Sequence, residues 1–160
     1  MNKARLQQLI LAKLQADLQV AQAALQTAHE AATHEENIAE NKYDTLGLEA
    51  GYLAAGQARR LQEIELALAV YRGLVLRPFD PALGIQLTAL VTLALEDGTR
   101  RQLFLGPDAA GLKVREGGLE IMLISPRSPL GQSLLGKDVG EVVETRVGQQ
   151  KQAFEVVAVV

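Results

Sequence analysis

The feature that most constrains this chain is a pair of apolar seams at helical spacing. Residues 2 to about 75 contain no proline, and glycine appears only from position 47 onward. Leu11, Leu14, Leu18, Ala21, Leu25, Ala28 and Ala32 recur in alternating steps of three and four. Tyr43, Gly47, Ala50, Ala54, Gln57, Leu61, Ile64, Leu68, Tyr71 and Val75 repeat the pattern. That alternation is the seam of a coiled coil, and a strand could not bury it. The polar run Thr33-His34-Glu35-Glu36-Asn37 separates the two seams. Two helices folded back there bury both seams against each other, whereas one continuous helix leaves both in water.

The side-chain sizes fit an antiparallel arrangement. Leu11, Leu14 and Leu18 meet Leu61, Ile64, Leu68 and Tyr71 at the base, and Ala28 and Ala32 meet Gly47 and Ala50 near the turn. Arms of about 30 residues at about 1.5 Å each predict a rod on the order of 45 Å. An intermolecular coiled coil is the competing arrangement. The size-matching and the polar midpoint favour an intramolecular hairpin and a monomer.

The grammar changes after residue 75. Leu76-Arg77-Pro78-Phe79-Asp80-Pro81-Ala82 is a linker whose prolines deny the helix continuation. Strands are expected over Ile85–Leu95, Arg101–Leu105, Leu119–Ile124, Val139–Val147 and Gln152–Val159, with turns at Glu96-Asp97-Gly98-Thr99 and Glu116-Gly117-Gly118. Pro129 to Leu135 is a short helix. The fold class is therefore α+β: a hairpin over residues 1–75 with its tip at about 33–42, a linker over 76–82, and a small antiparallel β domain with one short helix over 83–160.

Charge and composition exclude several functions. The 160 residues carry no cysteine, so disulfides, thiolate metal sites and a cysteine nucleophile are absent together. The net charge of −3 is unsuited to autonomous nucleic-acid binding, which needs clustered Lys and Arg. Aromatic residues make up 4 %, too few for a base-stacking platform. Polar residues from Gln7 to Asp17 break any leader-like apolar run, and no stretch approaches a membrane span, so a soluble, cytoplasmic protein is expected. Between His29 and Glu49, Glu30, Glu35, Glu36, Glu40, Asp44 and Glu49 face a single cation, Lys42, so negative charge is concentrated at the expected tip.

Other chemistry fits poorly. His29 and His34 stand five apart, roughly 140° around a helix, and a zincin pair needs four. Both histidines lie on the expected hairpin, remote from Ser125, Ser128 and Ser133, so a serine hydrolase triad is not supported. Phe79, Phe104 and Phe154 are the aromatics of the C-terminal half and read as core rather than as the lining of an isomerase pocket.

The run from Ser128-Pro129-Leu130-Gly131 through Lys137-Asp138-Val139-Gly140-Glu141-Val142-Val143 resembles the C-terminal signature of the GreA/GreB transcript-cleavage factors. Leu105-Gly106-Pro107-Asp108, Glu40-Asn41-Lys42-Tyr43 and Gly51-Tyr52-Leu53 are similar to further motifs of that family, in the same order. The resemblance implies a coiled-coil hairpin and a C-terminal domain of FKBP-like fold. It implies an accessory factor rather than an enzyme, with bacterial RNA polymerase as partner and docking through Arg127, Ser128 and Pro129. No cofactor of its own is implied. Acidic tip residues of the family help hold a shared Mg²⁺ at the polymerase active centre, where a hard cation takes oxygen ligands.

Family members that stimulate cleavage carry an Asp and a Glu at the tip, three residues apart, just before Asn. Aligned on Glu40-Asn41, the Asp position holds Asn37; aligned on Tyr43, the two positions hold Glu36 and Ala39. Glu36 and Glu40 are four apart and would share a helical face. They are the candidate Mg²⁺-assisting pair, with Asn37 and Asp44 in support. The docking loop departs too, with Pro126-Arg127 standing before Ser128-Pro129. The alternative expectation is a coiled-coil adaptor that has lost cleavage stimulation.

Overall fold

A computed structural model describes residues 1–38 and 46–160; the side chains of residues 35–47 and of Val147 lie outside the description. Two long helices, α1 (Lys3–Ile38) and α2 (Leu46–Arg72), precede β1 (Leu90–Leu95), β2 (Arg100–Leu105), β3 (Lys113–Glu116), β4 (Leu119–Ile124), α3 (Pro129–Leu134), β5 (Val142–Val147) and β6 (Gln150–Val159). The chain divides into two compact units, one of residues 11–69 and one of residues 1–10 with 70–160. None of the described helices is long and apolar enough to cross a membrane.

The first unit consists of α1 and α2. Leu14, Ala21, Ala50, Ala54, Ile64 and Leu68 are buried, while Leu11, Leu18, Leu25, Ala28 and Ala32 are half-buried. A residue in the middle of an isolated helix cannot lose its water, so each seam is covered by the other, as the heptads require. Helix α1 runs through Thr33–Asn37, the segment expected to turn, and continues to Ile38. Tyr43 and Gly47 lie outside the described side chains. The second seam ends at Tyr71 rather than Val75. Helix α2 stops at Arg72 ahead of Gly73, which leaves Val75 74 % exposed.

The second unit is a mixed six-stranded sheet with the order β3-β4-β2-β1-β6-β5. Neighbours pair antiparallel except β2 and β4, which run parallel with Gln102 opposite Ile121 and Leu105 opposite Ile124. The expected antiparallel domain therefore contains one parallel pair. It arises because β3, a four-residue strand not expected from the sequence, takes the outer edge and carries the chain back to start β4 alongside β2.

Alternation along the strands builds one core from Val91, Leu93, Leu103, Leu105, Val143, Phe154 and Val156, closed by Ile85 and by Leu134 of α3. The opposite register buries Leu90, Phe104, Ile121, Leu123 and Val114. The first turns of α1 and the end of α2 belong to this unit, and their Leu6, Ile10 and Tyr71 are fully buried.

The expected strand over Ile85–Leu95 is shorter at its start. Thr88 adopts φ 75°, outside the β region, so ladder geometry begins only at Leu90. Ile85 is held instead by Lys137, whose carbonyl accepts from its N–H at 2.8 Å, and its own carbonyl accepts from Gly136 N–H at 2.8 Å. The backbones come so close there that a Cβ on Gly84 would stand 2.3 Å from the Gly136 carbonyl carbon.

Candidate functional site

The loop between β4 and α3 is assembled from four short-range hydrogen bonds. Ser128 is the N-cap of α3, and its hydroxyl oxygen accepts from Gly131 N–H at 3.1 Å. The same hydroxyl donates to the Ser125 carbonyl at 2.7 Å, and Ser128 N–H donates to that carbonyl at 3.1 Å. The Ser125 hydroxyl oxygen accepts from Arg127 N–H at 3.1 Å. Pro129 fills the first turn of the helix, where no N–H is required and its fixed φ suits the helix. The Ser-X-X-Ser-Pro order therefore dictates a local knot that needs little help from distant residues.

Gly131 completes the loop by being small. A Cβ at that position would stand 2.0 Å from the Ser125 carbonyl oxygen. The backbone of α3 lies directly on the loop, and Leu134 anchors the helix in the core. Arg127 and Pro129 are exposed, while Ser128 is half-buried. Among the described residues no ion-pair partner faces Arg127. The structure thus brings the three expected docking residues together on one braced turn, with Ser128 as the brace and Arg127 and Pro129 facing water. Sequence reasoning placed them but missed the role of Gly131, whose signal was a glycine inside a helical turn.

The other candidate set begins in the last turns of α1 and continues into residues outside the description. The backbone at Glu36 and Asn37 is helical within α1, but the side chains of both lie outside the described residues, as do Glu40 and Asp44 entirely. Just before them, Gln26 Nε2 donates to Glu30 at 2.9 Å. His29 and His34 are both exposed. Among the described residues no group of three or more His, Cys, Asp and Glu is placed to hold a metal ion.

Residues 85–160 match the family model of the GreA/GreB transcription elongation factor C-terminal domain. Among solved structures, the chain is similar to the GreA factor homolog 1 (Gfh1) protein of Thermus thermophilus at 25 % identity, covering 95 % of each chain, with a TM-score of 0.40. Gfh1 of Thermus aquaticus is 28 % identical, covering 95 % of this chain and 94 % of that one, with a TM-score of 0.38. A prokaryotic transcription elongation factor GreA/GreB from Nitrosomonas europaea is 23 % identical over 65 % of this chain and 78 % of its own, with a TM-score of 0.38. The curated proteins contain no match. The family match covers the whole sheet and the loop at Ser125–Pro129.

Proposed function

We propose, from the premise that the chain belongs to the GreA/GreB family through residues 85–160, that it is an accessory factor of bacterial RNA polymerase. In this reading Arg127, Ser128 and Pro129 dock on the polymerase, and the α1–α2 hairpin is the part offered to the secondary channel. The observation that carries it is the braced turn itself. Its hydrogen bonds are satisfied internally, so Arg127 and Pro129 are held at the surface with little ordering cost left for binding. A rigid turn whose cation has no ion-pair partner among the described residues fits recognition of an acidic or carbonyl-rich partner surface.

Acting through the polymerase requires no catalytic group of its own. Glu36 and Glu40 supply carboxylates and Asn37 a neutral carbonyl, a donor set that suits a hard divalent cation. A second Mg²⁺ held at the polymerase centre would stabilise charge on the attacking and leaving oxygens of phosphodiester hydrolysis. Glu36 and Glu40 match the charge of a paired Asp and Glu but stand four residues apart rather than three, so positioning decides whether they serve the cation.

The test is a stalled, backtracked polymerase complex incubated with the full chain over a range of Mg²⁺ concentrations. Shortened RNA shows a working cleavage factor. Unchanged RNA together with competition against an authentic GreA shows a channel-binding regulator without the chemistry. Failure on both counts removes the polymerase reading and leaves the coiled-coil adaptor.

A further inference from the structure

The sheet carries an open cleft of about 870 Å³, lined among others by Thr92, Arg100, Gln102, Lys113, Leu119 and Ala158. This is within the size range of small-molecule sites. The register explains the hollow. Thr92 sits between Gln102 on one neighbouring strand and Ala158 on the other, and Gln102 in turn faces Ile121 across the parallel pair. Small residues at the centre and longer ones around it leave space above the strands.

Two features of the lining need a partner. The side-chain carbonyl oxygen of Gln102 is buried and accepts no hydrogen bond from any described residue. An acceptor in that position costs on the order of 1–3 kcal/mol in stability unless a donor reaches it. Arg100 is exposed and makes no ion pair among the described residues. The nearby carboxylate, Glu120, is already engaged by Arg115 at 2.5 Å and by Lys113 at 3.8 Å. Leu119, 41 % exposed, supplies an apolar wall.

We propose that this cleft is a binding site for a small organic anion that carries an N–H or O–H donor on an apolar body. The donor meets the Gln102 carbonyl, the anionic group meets Arg100, and the body lies against Leu119. A bare anion leaves Gln102 and the volume unfilled, and a neutral ligand leaves Arg100 unmatched. The site is separate from the docking turn. Leu119 opens β4 and Ser125 follows its last residue, about 20 Å away at strand rise.

The experiment is a titration of the ¹⁵N-labelled full chain, followed by amide shifts, with adenosine monophosphate and with N-acetyl-leucine as phosphate and carboxylate probes. Adenosine and inorganic phosphate are the controls lacking the anion or the body. Saturable shifts centred on Thr92, Arg100, Gln102 and Leu119 with either probe are expected, and the better probe identifies the anion class. Arg100→Gln should weaken the stronger probe about tenfold, the loss of one charge-assisted hydrogen bond. Gln102→Leu should weaken it several-fold while raising the denaturation midpoint of the unliganded protein, because the orphaned acceptor is gone. Non-saturable or scattered shifts with both probes overturn the proposal, as does equal binding of the controls. So does undiminished binding by both variants.

Discussion

The Tyr71 hydroxyl, at the end of α2, donates to the Asp108 carbonyl in the loop after β2 across 2.7 Å. Tyr71 is fully buried, and a Cβ on Gly106 would stand 2.1 Å from its hydroxyl oxygen. The helix therefore ends on a loop shaped around it. Removing the hydroxyl in Tyr71→Phe strands a carbonyl and should cost about 1 kcal/mol, while Tyr71→Ala, which also opens a cavity, should cost about 3–5 kcal/mol. Urea unfolding of the full chain measures both. Gly106→Ala should approach the larger loss.

The same tyrosine predicts a pH dependence. Burial pushes its ionisation well above the usual phenol value of 10.0, with the Asp108 hydrogen bond acting in the opposite sense. The folded state thus holds the proton more tightly than the unfolded state. Stability from this group is complete below pH about 10 and falls as pH rises above it. Lys3, whose pKa is lowered by burial, acts in the other direction at alkaline pH. The difference between the parent and Tyr71→Phe isolates the tyrosine: the gap in unfolding free energy should shrink above pH about 10. A phenolate absorbance titration should show one of the three tyrosines ionising only with unfolding, and that component should vanish in Tyr71→Phe.

Lys3 makes a second prediction. Its ammonium donates to the carbonyls of Thr88, at 3.0 Å, and of Arg77. Thr88 is itself buried at φ 75° and its hydroxyl oxygen accepts from Arg77 N–H at 3.0 Å. One lysine thus caps two carbonyls around a strained residue. Lys3→Met keeps the length and loses the donors, so it should destabilise by about 1–3 kcal/mol. Lys3→Arg should recover part of that. Equal stability of parent and Lys3→Met in urea would show that water serves these carbonyls as well.

The seams were legible at Leu14, Ala21, Ala50, Ala54, Ile64, Leu68 and Tyr71 because a heptad admits one burial pattern, whatever the partner. Val75 was misplaced because the period cannot see that Gly73 ends the helix. The short helix at Pro129 was legible because its start, capped by Ser128, is a local device that needs no tertiary information. The β2–β4 parallel pair was not legible, since it depends on where Lys113-Val114-Arg115-Glu116 lies, and four residues with two cations carry almost no strand signal. For the same reason the Gln102 cleft could not be read. Gln102 looks like any outward polar residue until Ile121 and Thr92 are known to flank it.

Loop bracing and surface recognition should separate in mutants of the docking turn. Gly131→Ala drives a methyl into the Ser125 carbonyl and should destabilise by roughly 1–3 kcal/mol. Ser128→Ala loses the cap and should cost about 1 kcal/mol. Arg127→Ala and Pro129→Ala alter exposed groups and should change stability by no more than about 0.5 kcal/mol. Under the proposed function, Arg127→Ala and Pro129→Ala nonetheless weaken competition against an authentic GreA for polymerase by about tenfold, a charged or packed contact at an interface. Full competition by both variants would move docking away from this turn.

Alteration of the tip should do the reverse. Glu36→Ala with Glu40→Ala removes two carboxylates from a segment in which they have only Lys42 as a counter-charge, so folding should be unimpaired. Competition for polymerase should also be retained, because docking is assigned to Arg127 and Pro129 in the other compact unit. Any effect on the backtracked complex should disappear. Placing Asp at Asn37 in the otherwise unchanged protein tests the same chemistry from the other side. A third carboxylate gives a divalent cation one more charged oxygen, so half-maximal Mg²⁺ for cleavage should fall. If Glu36→Ala with Glu40→Ala loses competition as well, the tip is a docking element and the carboxylates are not acting on a metal.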